Sequence, residues 1–126
     1  MTRMTAGILS LAAATLLAAG AIAQGHHHGA EKTFVGHVVD VACYVSHGSI
    51  GESHRECAET CAKAGIPLAI LDQQTGTLYL PLAKSHHEPA NKELMAFVEK
   101  DVRVTGTVAE KDGLKTITIE SIAAAN

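Results

Sequence analysis

Apolar and polar residues alternate most regularly near the C-terminus, where "DVRVTGTVAE" and "LKTITIESI" flank "KDG". A period of two sends successive side chains to opposite faces of a strand. These segments therefore predict a hairpin with Val102, Val104, Ile117 and Ile119 facing inward. "PLAILD" and "TLYLPL" are short apolar runs around "QQTG", and predict another hairpin. "TFVGHVVDVACYV" is rich in β-branched and aromatic residues, and predicts a long first strand from Thr33 to about Val45. The period then changes. Ser53 followed three residues later by Glu56 makes a capping box, and Gly65 and Pro67 supply stop signals. A helix from Ser53 to Ala64 is expected between them. "EPANKELMAFVEK" places Leu94, Phe97 and Val98 on one face at helical spacing, and predicts a second helix.

The predicted order is β, α, β, β, α, β, β, mainly β with two helices. Five strands with a helix between the third and fourth is the order of the OB-fold, a small Greek-key barrel. The helix carrying Cys57 and Cys61 is an insertion between strands 1 and 2. In OB-folds the loop at that position borders the usual binding face.

Ahead of this domain the pattern differs. "MTRMTAGILSLAAATLLAAGAIAQG" has Arg3, then an apolar run from Ile8 to Leu17, then small residues. That is the layout of a secretory signal peptide, with "AIA" at Ala21–Ala23 as the cleavage site. Residues 1–23 are expected to be removed and residues 24–32, "QGHHHGAEK", to form a flexible His-rich leader. Residues 33–126 would make one domain, periplasmic or secreted, with no stable membrane insertion after cleavage. Ten basic and thirteen acidic residues give a formal net charge of −3. The aromatic residues are Phe34, Tyr44, Tyr79 and Phe97 alone. A nucleic-acid surface needs a basic face with stacking rings, so that class of partner is set aside. The chain has no G-x-S-x-G, no H-E-x-x-H and no Gly-rich phosphate loop, and an enzyme is not expected.

Its chemistry lies in three cysteines, Cys43, Cys57 and Cys61, spaced C-x13-C-x3-C. On a helix, His54, Cys57 and Cys61 share one stripe, with Cβ atoms of i,i+4 neighbours about 5–6 Å apart. A disulfide wants Cβ atoms about 3.5–4.5 Å apart, so bridging Cys57 to Cys61 would strain the helix. Thiolates on one metal ion lie roughly 3.8 Å apart, which i,i+4 side chains reach. The spacing favours shared ligation. Cys43 would join from the end of the first strand, with His54 or His47 as the fourth ligand. Three thiolates are a soft set that suits copper(I) or zinc(II).

Two other readings remain open. Cys43 could pair with Cys57 or Cys61 in a disulfide stapling strand to helix, in a binding module for an unknown partner. The odd thiol could also attack that disulfide, giving a redox protein. A separate copper(II) site is expected at the cleaved N-terminus, where the amine of Gln24, the amides of Gly25 and His26 and the His26 imidazole make a four-nitrogen plane. His37, within the first strand, is expected to be a packed or edge residue.

"GHVVDVACYVSHG", "HRECAETCAKAGIPLAIL", "TLYLPL", "DVRVTGTVAE" and "KTITIESI" together resemble a group of small exported bacterial OB-like barrel proteins with this C-x13-C-x3-C core. The resemblance covers about Gly36 to Ile122. It implies the barrel and export, with Cys43, Cys57 and Cys61 as the matched positions, and implies no particular activity. The expectation is an exported copper- or zinc-binding protein that buffers or delivers its ion, with another envelope protein as recipient in the second case.

Overall fold

The computed structural model describes residues 29–125. The expected signal peptide, most of the leader and the Gln24–His26 copper site lie outside those residues. Five strands form a closed barrel in the order β1-β2-β3-β5-β4. They are β1 (Ala30–Asp40), β2 (Leu68–Asp72), β3 (Leu78–Leu82), β4 (Asp101–Lys111) and β5 (Leu114–Ala124). β1 pairs antiparallel with both β2 and β4, while β3 and β5 close the barrel in parallel. This is the expected mainly β, five-stranded OB-like barrel with a cysteine-bearing helix between strands 1 and 2.

The alternation in the last two strands has the expected sense. Val102, Val104 and Ile117 are fully buried and Ile119 nearly so, packed with Phe34, Val38, Leu68, Ile70 and Leu94. Where β4 bends to wrap the barrel, a register shift falls between Thr105 and Gly106. A Cβ at Gly106 would sit 2.4 Å from the carbonyl oxygen of Thr118, so only glycine permits this approach. At one end of the barrel, Lys32 Nζ lies 2.6 Å from the buried Asp72 and about equally far from the rings of Phe34 and Tyr79, at 4.9 and 5.0 Å. Burial alone would raise the Asp72 pKa, but the ammonium and the backbone amides of Gln74 and Thr75 outweigh it and hold the carboxyl below its usual range.

Three expectations change. β1 begins at Ala30, ahead of Thr33, and stops at Asp40 rather than running to Val45. The residues beyond it form a short helix, α1 (Val41–His47), so Cys43 sits on a helix and not at a strand end. Asp40 causes the stop: its side chain accepts hydrogen bonds from the amides of Ala42 and Cys43, capping the helix before the β-branched residues can extend the strand.

The cysteine helix, α2 (Arg55–Lys63), is entered through a 3-10 turn at Glu52–His54, and no side chain caps it. Ser53 is therefore inside the turn, and its capping box with Glu56 does not form. The second expected helix is two 3-10 turns, Ala90–Glu93 and Met95–Phe97. Asn91 explains part of this. Its side chain reaches out of the segment, accepting from Leu68 N at 2.8 Å and donating to Ile66 O at 2.7 Å. The segment ends at Glu99, whose φ of 53° breaks helical continuity.

Candidate metal centre

α1, α2 and the 3-10 turn that leads into α2 supply every residue of the candidate site together with Asp40. The two helices are tied to each other and to the barrel. Val41 N donates to Pro67 O at 3.0 Å, joining the start of α1 to the chain that leaves α2. α1 ends at Gly48, whose φ of 68° lets its N–H reach back to Tyr44 O. Ala58 and Ala62, one turn apart on α2, are buried against the barrel. Their small side chains let the helix settle close to the core and leave Cys57 and Cys61 on a neighbouring stripe. Asn91 donates to Ile66 O just beyond α2, and Glu99 Oε2 accepts from Gly51 N at 2.6 Å just before the Glu52–His54 turn. The α2 segment is thus pinned at both ends.

This framework makes two overlapping groups. One nitrogen of His54 and the Sγ atoms of Cys43 and Cys57 lie within 4.8 Å of one another. An oxygen of Asp40 and the Sγ atoms of Cys43 and Cys61 do the same. Cys43 belongs to both. The four ligands expected of a single closed site are therefore divided, with Cys61 in the Asp40 group rather than beside His54. All three cysteines are unpaired; Cys57 is exposed, and Cys43 and Cys61 are partly covered.

Two polar atoms at the centre lack partners. His54 Nε2 and Asp40 Oδ2 are buried without a hydrogen bond, although the other oxygen of Asp40 caps α1. Asp40 acts on the thiols beside it. Its carboxylate, together with burial, pushes the pKa of the Cys43 thiol up from 9.0 to about 12. The Cys61 thiol is raised for the same reasons, the Asp40 carboxylate first. Without metal, both sulfurs hold their protons at neutral pH.

His47 is exposed at the C-terminal end of α1 and belongs to neither group. His54 is the histidine the fold brings to the cysteines. His37 is held between two carboxylates, Nδ1 at 2.6 Å from Asp101 and Nε2 at 3.1 Å from Glu99, and serves the pin on Gly51 rather than the sulfurs. His86 and His87 are exposed in the chain after β3.

Asp40 was missed at the sequence level, yet it left a signal. An aspartate eight residues before a glycine, with seven residues between, reads as N-cap and C-terminal stop of a two-turn helix. A trough of about 420 Å³ runs over the α2 stripe between Ser53, Glu56, Cys57, Thr60 and Cys61. A cavity of about 450 Å³ lies instead at the other end of α2, by Lys63, Pro67, Leu80 and Pro81. It is mainly apolar and contains no cysteine. Asn91 lines it, but its amide is already engaged by Ile66 and Leu68. Of the two, only the trough borders candidate ligands, Cys57 and Cys61.

No helix among the described residues is long and apolar enough to cross a membrane. No protein-family model, curated protein or solved structure matches this chain.

Proposed function

We propose that this is an exported protein that binds copper(I) or zinc(II) at Cys43, His54 and Cys57, and buffers or delivers that ion. The observation that carries the reading is the convergence of two sulfurs and a ring nitrogen within 4.8 Å, on a histidine whose Nε2 is buried and unpartnered. Ligands on one ion at about 2.0–2.3 Å stand roughly 3.3–4.0 Å apart, so only a small contraction closes the set. Three protein ligands leave a coordination position open. Because Cys57 is exposed, that position is reachable by a thiol of another protein, which suits hand-over of the ion. The trough is open to water along its length, a poor setting for a reaction and a good one for ligand exchange. Export rests on the N-terminal sequence pattern and is part of the same proposal.

The disulfide reading keeps one supporting observation: Cys43 Sγ lies within 4.8 Å of both other sulfurs. A single experiment separates the two. Native mass spectrometry of protein taken from the cell envelope reports bound metal and a two-proton mass deficit together. A bound ion with three free thiols supports metal binding. A deficit with one free thiol and no metal, unchanged stability on chelation included, refutes it in favour of the staple.

A further inference from the structure

Asp40 is 1% exposed, yet no lysine or arginine pairs with it among the described residues. Aspartate is almost never fully buried unless paired, because burying a lone carboxylate is costly. The other buried aspartate, Asp72, follows that rule with Lys32. Asp40 has Oδ1 on the cap of α1 and leaves Oδ2 buried and unpartnered. A carboxylate oxygen of Asp40 lies within 4.8 Å of the Cys43 and Cys61 sulfurs.

We propose that Asp40, Cys43 and Cys61 form a second metal position, filled by a divalent ion of the zinc(II) type, with the Cys43 thiolate bridging it to the first. The proposal rests on the metal-binding function above and extends it from one ion to two. The ligand set argues for the class of ion. Two thiolates and a carboxylate match zinc(II), which takes sulfur at about 2.3 Å and carboxylate oxygen at about 2.0–2.2 Å, whereas copper(I) selects sulfur over a hard oxygen.

Charge argues for the number. Asp40, Cys43, Cys57 and Cys61 are all anionic once the thiols have ionised, and zinc(II) in both positions would neutralise all four. With the first position alone filled, a Cys43 thiolate would face the Asp40 carboxylate with no cation on that side. Geometry argues for the bridge, since Cys43 is common to two groups that do not merge into one. Thiol ionisation balances simply: each sulfur that ligates releases one proton to solvent, and no electron transfer is involved.

Zinc titration of the reduced full chain, read by native mass spectrometry, tests this by differences between variants. Asp40→Asn keeps the cap, because asparagine caps as well as aspartate, and far-ultraviolet circular dichroism checks that the fold is retained. It should bind one zinc ion fewer than wild type, and Cys61→Ser should do the same. Cys43→Ser should bind two fewer. Zinc held by the leader histidines is common to all of these proteins and cancels. If Cys43→Ser loses one ion while Asp40→Asn and Cys61→Ser lose none, the second position does not exist and the single-ion function stands. If Cys43→Ser loses none, zinc binding at these residues falls and the second position with it, while copper(I) binding at the first is judged by its own titration.

Discussion

Replacing Asp40 with asparagine should make Cys43 a faster nucleophile, which is the reverse of the usual outcome of disturbing a buried site. The carboxylate beside the thiol, with burial, holds its pKa at about 12 against an ordinary 9.0. If asparagine returned it fully to 9.0, the thiolate fraction at pH 7.5 would rise about a thousandfold, since only the thiolate attacks. A less basic thiolate is intrinsically slower; with a Brønsted slope of about 0.4–0.5 this takes back roughly twentyfold, leaving a net gain of about fiftyfold. Burial also contributes to the shift and survives the substitution, so a gain of about 5- to 50-fold is expected. The assay is the rate of reaction with a small aromatic disulfide, in a Cys57→Ser/Cys61→Ser background where Cys43 is the sole thiol. The climb of the rate with pH should begin to flatten at a lower pH in the Asp40→Asn variant than in the parent, which should still be climbing at pH 9.5. Rates within twofold of each other across pH 7–9.5, in two folded proteins, would refute the coupling of Asp40 to Cys43.

His54→Ala should weaken copper(I) binding at least tenfold in a competition titration, while His47→Ala should leave it within twofold, because His47 belongs to neither ligand group. Val104→Asp should cost about 3–5 kcal/mol in chemical denaturation, since it places an unpaired carboxylate in a fully buried position of β4; a loss below 1 kcal/mol would contradict the strand register. Lys32→Met should cost about 1–3 kcal/mol at pH 7 by stranding the buried Asp72 carboxylate. The folded-state pKa of Asp72 is depressed and that of Lys32 raised, so their mutual stabilisation is whole between about pH 4 and pH 10. It is lost as Asp72 protonates below that window. The stability gap between Lys32→Met and wild type should therefore narrow between pH 5 and pH 2, and a gap that widens would reverse the assignment.

The barrel was legible wherever one face of a strand is buried and the other wet. Val102, Val104, Ile117 and Ile119 reveal their faces by simple alternation, and the structure buries all four. The helix carrying Cys57 and Cys61 was also legible in its body, through its spacing and its stop at Gly65. Its start was not, because the turn at Glu52–His54 is set by Gly51 bonding to Glu99, a partner far along the chain. α1 was hidden for a different reason. Val41, Tyr44 and Val45 favour strands, and one capping carboxylate overrides them. Asn91 misled in the same way, since its amide serves Ile66 and Leu68 rather than its own turn. For the site, the stripe of His54, Cys57 and Cys61 was visible from spacing alone. Its division was not, because no periodicity shows that Asp40 would stand beside Cys43 and Cys61.

All five candidate ligands fall between Asp40 and Cys61, on a segment laid over a barrel whose hydrophobic cluster runs from Phe34 to Ile119 and includes none of their side chains. In a zinc finger the ion does the folding, so losing it unfolds the chain and exposes it to proteolysis. Here the domain's cohesion comes from the barrel, and occupancy is a separate variable. If the proposed metal binding holds, the same molecule would be emptied and refilled many times within its lifetime, its survival independent of metal supply. It would keep its capacity through scarcity and meet the next influx already folded, with no new synthesis needed.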